Sequence, residues 1–490
     1  MRRSHRTTTA AAGFLALFAA GCATRDVDAH VSPSPAAPWQ PPAEARMPAA
    51  APTPPPAIPA EYLRPGATLS LDQVVDVALR NNPATRTAWH QARAAAANLG
   101  AKKSAYLPDL ELNANITRSK QTSVGSRFIT LQTTYGPSLN LSWLLFDVGG
   151  RAADVAEARN ALFAADWTHD AVIQNVVLQV EVAFYQYQNA KGQAAAAEAT
   201  LKQSKESLAA AEDRHSAGVA TIADVLQART AMSQAELALE TARGAIQTLR
   251  GALATAAGVS PDVPVDVVEL PATFDVEEIG ETVDSLIDKA QSQRPDLAAA
   301  RFEVLRAQSH VRSVRAEGLP TLSAAGSASR VYFYNSTGLP FATNYSGSLL
   351  FRFPVFTGGR NTYETLEARE QARVAEGQAD TLEDQVVLQV WTSYYNLKTA
   401  AQRVKTARDL LASATQSQEV AAERYRAGVG SILDLLVAQS AYANALAQET
   451  QARSDWFVAL AMLAHDTGSL GPPPATTAPV PTPTQSGGTP

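Results

Sequence analysis

The chain has 490 residues, 46% of them apolar or aromatic, and a formal net charge of −6. It is long enough to bury a sizeable core, and its acidic balance leaves no basic footprint for nucleic acid. Its one cysteine cannot form an internal disulfide.

Arg2, Arg3 and Arg6 precede an apolar run from Ala10 to Ala20, too short to span a bilayer as a helix and ordered like a signal-peptide core. Residues 1–21 therefore read as an export signal. The run ends in Phe18-Ala19-Ala20-Gly21-Cys22, which resembles the cleavage box of bacterial lipoproteins, with Ala19 where such boxes usually carry leucine. The resemblance implies a covalent lipid on Cys22 and, because Ala23 rather than aspartate follows, sorting to the outer membrane. Residues 22–60 are rich in proline and alanine and read as an extended tether; residues 471–490 read as a disordered, proline-rich tail. Nothing in the body between them reaches the ~20 apolar residues of a membrane helix, so a bilayer crossing must use strands.

Within that body, Asn82-Pro83 closes a short helix and Leu107-Pro108 closes a second of about 24 residues, since proline neither extends a helix nor leaves its predecessor free to do so. Strand patterns follow. Leu110, Leu112, Ala114 and Ile116 alternate with Glu111, Asn113, Asn115 and Thr117; beyond a polar loop at residues 120–135, Leu139, Leu141, Trp143 and Leu145 alternate with Ser138, Asn140 and Ser142. Period two over about 9–11 residues is the pattern of a transmembrane barrel strand. Phe146-Asp147-Val148-Gly149-Gly150-Arg151 then turns the chain, with Asp147 as a cap, into a helical stretch free of proline as far as Ser260.

That stretch carries Val172, Val176, Val180, Phe184 and Tyr187 on one helical stripe, amid many alanines that let neighbouring helices approach closely. A helix from Gly150 to Gly218 is about 100 Å long at ~1.5 Å per residue. It ends in Arg214-His215-Ser216-Ala217-Gly218-Val219-Ala220-Thr221-Ile222-Ala223-Asp224, where a glycine C-cap is followed by the acidic first turn of a returning helix. This is a hairpin tip.

All of it is said twice. Arg294-Pro295 answers Asn82-Pro83, Leu319-Pro320 answers Leu107-Pro108, and Tyr345, Gly347, Leu349, Phe351 and Phe353 answer the second strand across a loop at 333–344. Phe356-Thr357-Gly358-Gly359-Arg360, with Thr357 in the capping place, answers the strand-to-helix turn, and Arg424-Tyr425-Arg426-Ala427-Gly428-Val429 answers the tip. The halves divide as 61–260 and 281–470, with 261–280 as an irregular or short-strand connector near the middle of the helices. Four strands per chain cannot close a barrel, and an open edge cannot face lipid; three chains give twelve strands and room for a lumen.

The duplicated order of helix, helix, strand pair, Gly-Gly-Arg, long helix and Ala-Gly-Val tip resembles the TolC family of outer-membrane efflux channels across residues 61–470. The resemblance implies a mainly α protein with a transmembrane β-barrel: a homotrimer with a twelve-stranded barrel in the outer membrane and an α-helical tunnel across the periplasm. It also implies a periplasmic adaptor and an inner-membrane pump, proton-driven or ABC, as partners in efflux or type I secretion. Arg214, Ala217, Gly218, Val219, Arg424, Ala427, Gly428 and Val429 become the adaptor-docking tip, with the arginines also read as last-turn cations or gate ties. Asp434 reads equally as a helix-start acid or as part of a ring constricting the tunnel, and Asp224 chiefly as a cap; Val437 stands where a second acid is sometimes found. Histidines are scattered, and no metal, cofactor or catalytic constellation is apparent, so no enzyme activity is expected. The competing reading, a lipid-anchored coiled-coil spacer without a pore, leaves the four alternating strands without a use.

Overall fold

The computed structural model describes residues 68–122, 129–269, 276, 280–334 and 338–471. The expectations for the export signal, Cys22, the tether and the tail after Gly471 lie outside these residues. Among the described residues, twelve elements repeat in two halves. The first holds α1 (Leu71–Asn81), α2 (Pro83–Ser104), β1 (Asp109–Thr122), β2 (Ile129–Phe146), α3 (Gly150–Ser216) and α4 (Ile222–Ala256). The second holds α5 (Val283–Gln293), α6 (Pro295–Ala316), β3 (Thr321–Phe333), β4 (Phe341–Arg352), α7 (Arg360–Arg426) and α8 (Ile432–Asp466). The long helices α3 and α7 have 67 residues each and their return helices α4 and α8 have 35 each.

The ends of the helices follow local chemistry. Ser70 starts α1 with a capping box, its hydroxyl accepting from Gln73 N and Gln73 Oε1 accepting from Ser70 N. At the α1–α2 kink Asn82 Oδ1 accepts from Ala84 N, so Pro83 sits at a helix start where no amide is missed. The apolar stripe of α3 is buried as its period requires: Val176, Val180, Phe184 and Tyr187 pack with Val74 and Ala78 of α1 and Leu253 of α4. Val386, Val390 and Leu397 of α7 do the same against Leu286 of α5 and Trp456 and Leu463 of α8. Taken over its whole length, α3 shows no single apolar face because it has neighbours on several sides, α1, α2, α4, α6 and α8.

The four strands form one antiparallel sheet in the order β1-β2-β3-β4, leaving β1 and β4 as edges. One face presents Leu110, Leu112, Ile116, Tyr135, Leu139, Trp143, Tyr345 and Leu349, all exposed. The other is polar, with Ser327 and Ser346 sharing a hydrogen bond across β3 and β4. The strands outrun the expected length: β1 has 14 residues and β2 has 18, so pairing claims residues 120–122 and 129–135 from the expected loop. Alternating β-formers there, Leu131 and Tyr135 among threonines, extend the ladder. Pro137 lies inside β2 opposite Ala114; having no amide to donate, it coincides with a gap in the β2–β3 register between Tyr135 and Ser138.

The strand-to-helix turns differ from expectation in one respect. Gly149 and Gly359 are the N-cap residues, both left-handed, and neither has a side chain to cap with. Asp147 caps α3 as expected, its carboxylate accepting from Arg151 N, but Thr357 serves α7 through its carbonyl, which accepts from Arg360 N. The connector adds one short parallel bridge, Leu69 to Val267, fixed by Leu69 N to Asp266 O at 2.9 Å.

Candidate functional site

At the far end of the long helices the two tips have one design. Gly218 and Gly428 have φ of 75° and 79°, the left-handed conformation that only glycine adopts without strain. Val219 N donates to Arg214 O and Gly218 N to His215 O, with the same pattern from Val429 to Arg424 and from Gly428 to Tyr425, which is how a helix end satisfies its last carbonyls. Thr221 and Ser431 then start α4 and α8 with capping boxes whose acidic members are Asp224 and Asp434. Both aspartates are therefore engaged by their own helix starts. Ala217, Ala427, Val219 and Val429 are exposed at the apex.

The two arginines part company. Arg424 is exposed. Arg214 reaches across to the other hairpin, donating from Nη1 to Tyr425 O at 2.6 Å and lying 4.7 Å over the Tyr425 ring. Burial pushes the Tyr425 hydroxyl up from its ordinary pKa, against the pull of Arg214. That hydroxyl is buried with no hydrogen-bond partner among the described residues. The duplicate of Tyr425 is His215, so this tie has no counterpart within the chain. Beside the tips, α4 and α8 flank an open groove of about 680 Å³ whose walls include Leu226, Thr230, Leu433, Val437 and Gln439.

Three further residues carry the assembly in ways the sequence does not announce. Arg151 of the Gly-Gly-Arg turn pins sheet to helix: it donates to Leu144 O at 2.6 Å and Leu145 O at 3.1 Å, pairs with Asp147 and lies over Tyr106. Gly258 and Gly468, matched like the tips, end α4 and α8 with φ of 71° and 73°. An added β-carbon would stand 2.7 Å from Asn81 C at the first and 2.9 Å from Arg294 N at the second. Each return helix thus presses its last turn onto a proline kink. The signal was a glycine recurring at the repeat spacing after the last helical residue.

Nearer the middle, Asp266 of the connector holds Lys191 at 2.9 Å and accepts from the Tyr187 hydroxyl. Burial pushes its carboxyl up, but the Lys191 hydrogen bond and charge prevail and leave it below the ordinary range. Among the described residues no cluster of metal-ligating side chains occurs and no helix is long and apolar enough to cross a membrane.

This geometry has relatives. The family model described as outer membrane efflux protein matches residues 74–259 and 286–469, one match per half. Protein CyaE of Bordetella pertussis is 28% identical, over 77% of this chain and 79% of its own, and outer membrane efflux protein BepC of Brucella suis is 26% identical, over 80% and 84%. The solved outer-membrane channel OprN superposes with a TM-score of 0.73 at 20% identity, covering 81% of this chain and 90% of that one. The chain belongs to the outer membrane efflux protein family, and is a subunit of a TolC-type trimeric outer-membrane channel for efflux or secretion whose helices extend into the periplasm.

Proposed function

We propose that three copies join β4 to β1 in a ring, forming a twelve-stranded barrel continuous with a helical tunnel, and that the tips dock a periplasmic adaptor serving an inner-membrane pump, proton-driven or ABC. The observation that carries this reading is the four-stranded sheet with one apolar face, one polar face and two unpaired edges, standing on helices about 100 Å long. A spacer without a pore has no use for such a sheet. A lipid on Cys22 adds anchorage to a barrel that already holds the membrane.

In this reading the tunnel is closed at the tips. Arg214 over Tyr425 ties the hairpins of one protomer, and Asp434 faces the aperture while capping its helix. Ala217, Gly218, Val219, Ala427, Gly428, Val429 and exposed Arg424 form the docking apex, with Asp224 as its helix cap. The test is single-channel conductance of the purified protein in planar bilayers. Wild type should conduct poorly and Arg214→Ala should conduct tens of times better, because losing a part-buried charged hydrogen bond and a cation–π contact removes about 2–3 kcal/mol from the closed state. Identical conductance in the two would sink the gate tie, and the absence of any conductance in either would sink the channel.

A further inference from the structure

We infer that the loop end of the sheet carries, on its lipid-facing side, a binding site for the phosphorylated glycolipid of the outer leaflet. The helices leave from the Phe146 and Arg352 ends of the strands, so the opposite strand ends, at Thr122, Ile129, Phe333 and Phe341, face the cell exterior. On β1 the apolar parity runs Leu110, Leu112, Ala114, Ile116 and then continues as Arg118 and Lys120. In register with Ile116, a row of Tyr135, Tyr332 and Phe341 crosses the other three strands. The tyrosine rings stack at 5.4 Å and Tyr332 lies 6.0 Å from Phe341. Arg330, one step towards the bilayer centre on the same parity, holds its guanidinium 4.6 Å over Phe341.

The row's position marks an interface. Trp143, whose indole donates to Tyr106 O at 3.0 Å, stands at the helix end of β2. From Trp143 to Tyr135 is about 26 Å of strand at ~3.3 Å per residue, which at the roughly 40° tilt of barrel strands rises about 20 Å, most of the roughly 25 Å apolar band of such barrels. The charge is lopsided. Among the described strand residues at the loop end, the cations Arg118, Lys120 and Arg330 all share the lipid-facing parity, while the polar face of the same rows carries Thr117, Ser119, Gln132, Thr134, Val331 and Ala342. Among the described strand residues the only carboxylates, Asp109 and Glu111, are at the other end. Cations held beside a lipid boundary are stabilised by phosphates at headgroup depth, and a row of aromatic rings offers a flat surface to a sugar. The outer-leaflet position selects a phosphorylated glycolipid over a phospholipid.

The test is native mass spectrometry of the detergent-purified trimer, titrated with bisphosphorylated lipid A, the same lipid A stripped of its phosphates, and phosphatidylglycerol. Wild type should retain the bisphosphorylated probe well above the other two. Each of Arg118→Gln, Lys120→Gln and Arg330→Gln should weaken retention about five-fold, and all three together about a hundred-fold. Arg352→Gln, a cation at the helix end, should leave retention unchanged. Equal retention of the dephosphorylated probe, which needs no variant, or an unaltered triple variant overturns the site. Phosphatidylglycerol held as tightly as lipid A overturns the glycolipid assignment. The inference rests on the barrel reading: chains that never form trimers end both, whereas trimers indifferent to the phosphates end this one alone.

Discussion

Glu181 follows fully buried Val180 on α3 and is itself partly buried. Burial, and then the nearby charge of Asp72, raises its carboxyl from 4.5 to about 7. A group whose folded-state pKa is raised contributes stability that is fully present below its unfolded value and is lost as pH climbs through the folded one. Wild type should therefore lose melting temperature between pH 4.5 and about 7 at this site, and Glu181→Gln, which cannot ionise, should not. The measurement is a thermal unfolding series for both proteins across that range. Curves that stay parallel would show that Glu181 is solvated in the assembled channel. Glu181 was passed over in the sequence because its burial comes from α1, brought to α3 by the fold, and because no carboxylate lies beside it in the chain.

The tips are the elements whose form was most legible in advance, since every signal in them is local: a glycine that must be left-handed, a Thr or Ser that caps, and an acid three residues later. Their partnership was not legible, because Tyr425 meets Arg214 only after two hairpins from opposite halves lie side by side. The same distinction applies to the strands, whose alternation was plain while the extension through Pro137 depends on neighbours accepting an interrupted ladder. Gly428 has open space around it, its nearest neighbour being the Arg214 side chain at 3.8 Å, so the cost of a side chain there is conformational. Gly428→Val should thus cost about 1–3 kcal/mol locally and leave trimer yield and outer-membrane insertion intact. Export and adaptor pull-down should be abolished, because the apex that presents Ala427 and Val429 changes shape. Normal export by this variant would remove the tip as the docking surface, and failure to trimerise would assign the turn to assembly.

At the scale of the whole molecule the halves are interlaced rather than stacked. Asn160 donates to Leu305 O and Ser309, Gln439 to Ser207, and Ser454 to Tyr185 O, while β2 pairs with β3. A chain cut between α4 and α5 should therefore yield two pieces that fold only together: co-expression should restore a co-purifying pair and export, and either piece alone should be degraded. Independent folding of one piece would mean that each half is a domain. The unpaired edges of β1 and β4 extend the same dependence beyond one chain, since another copy must supply the missing strands. Closing the barrel is then an association equilibrium governed by mass action. At low expression the number of finished channels should rise with the cube of the protomer concentration, giving a cell a steep threshold, set by dosage alone, between having almost no ducts and having many.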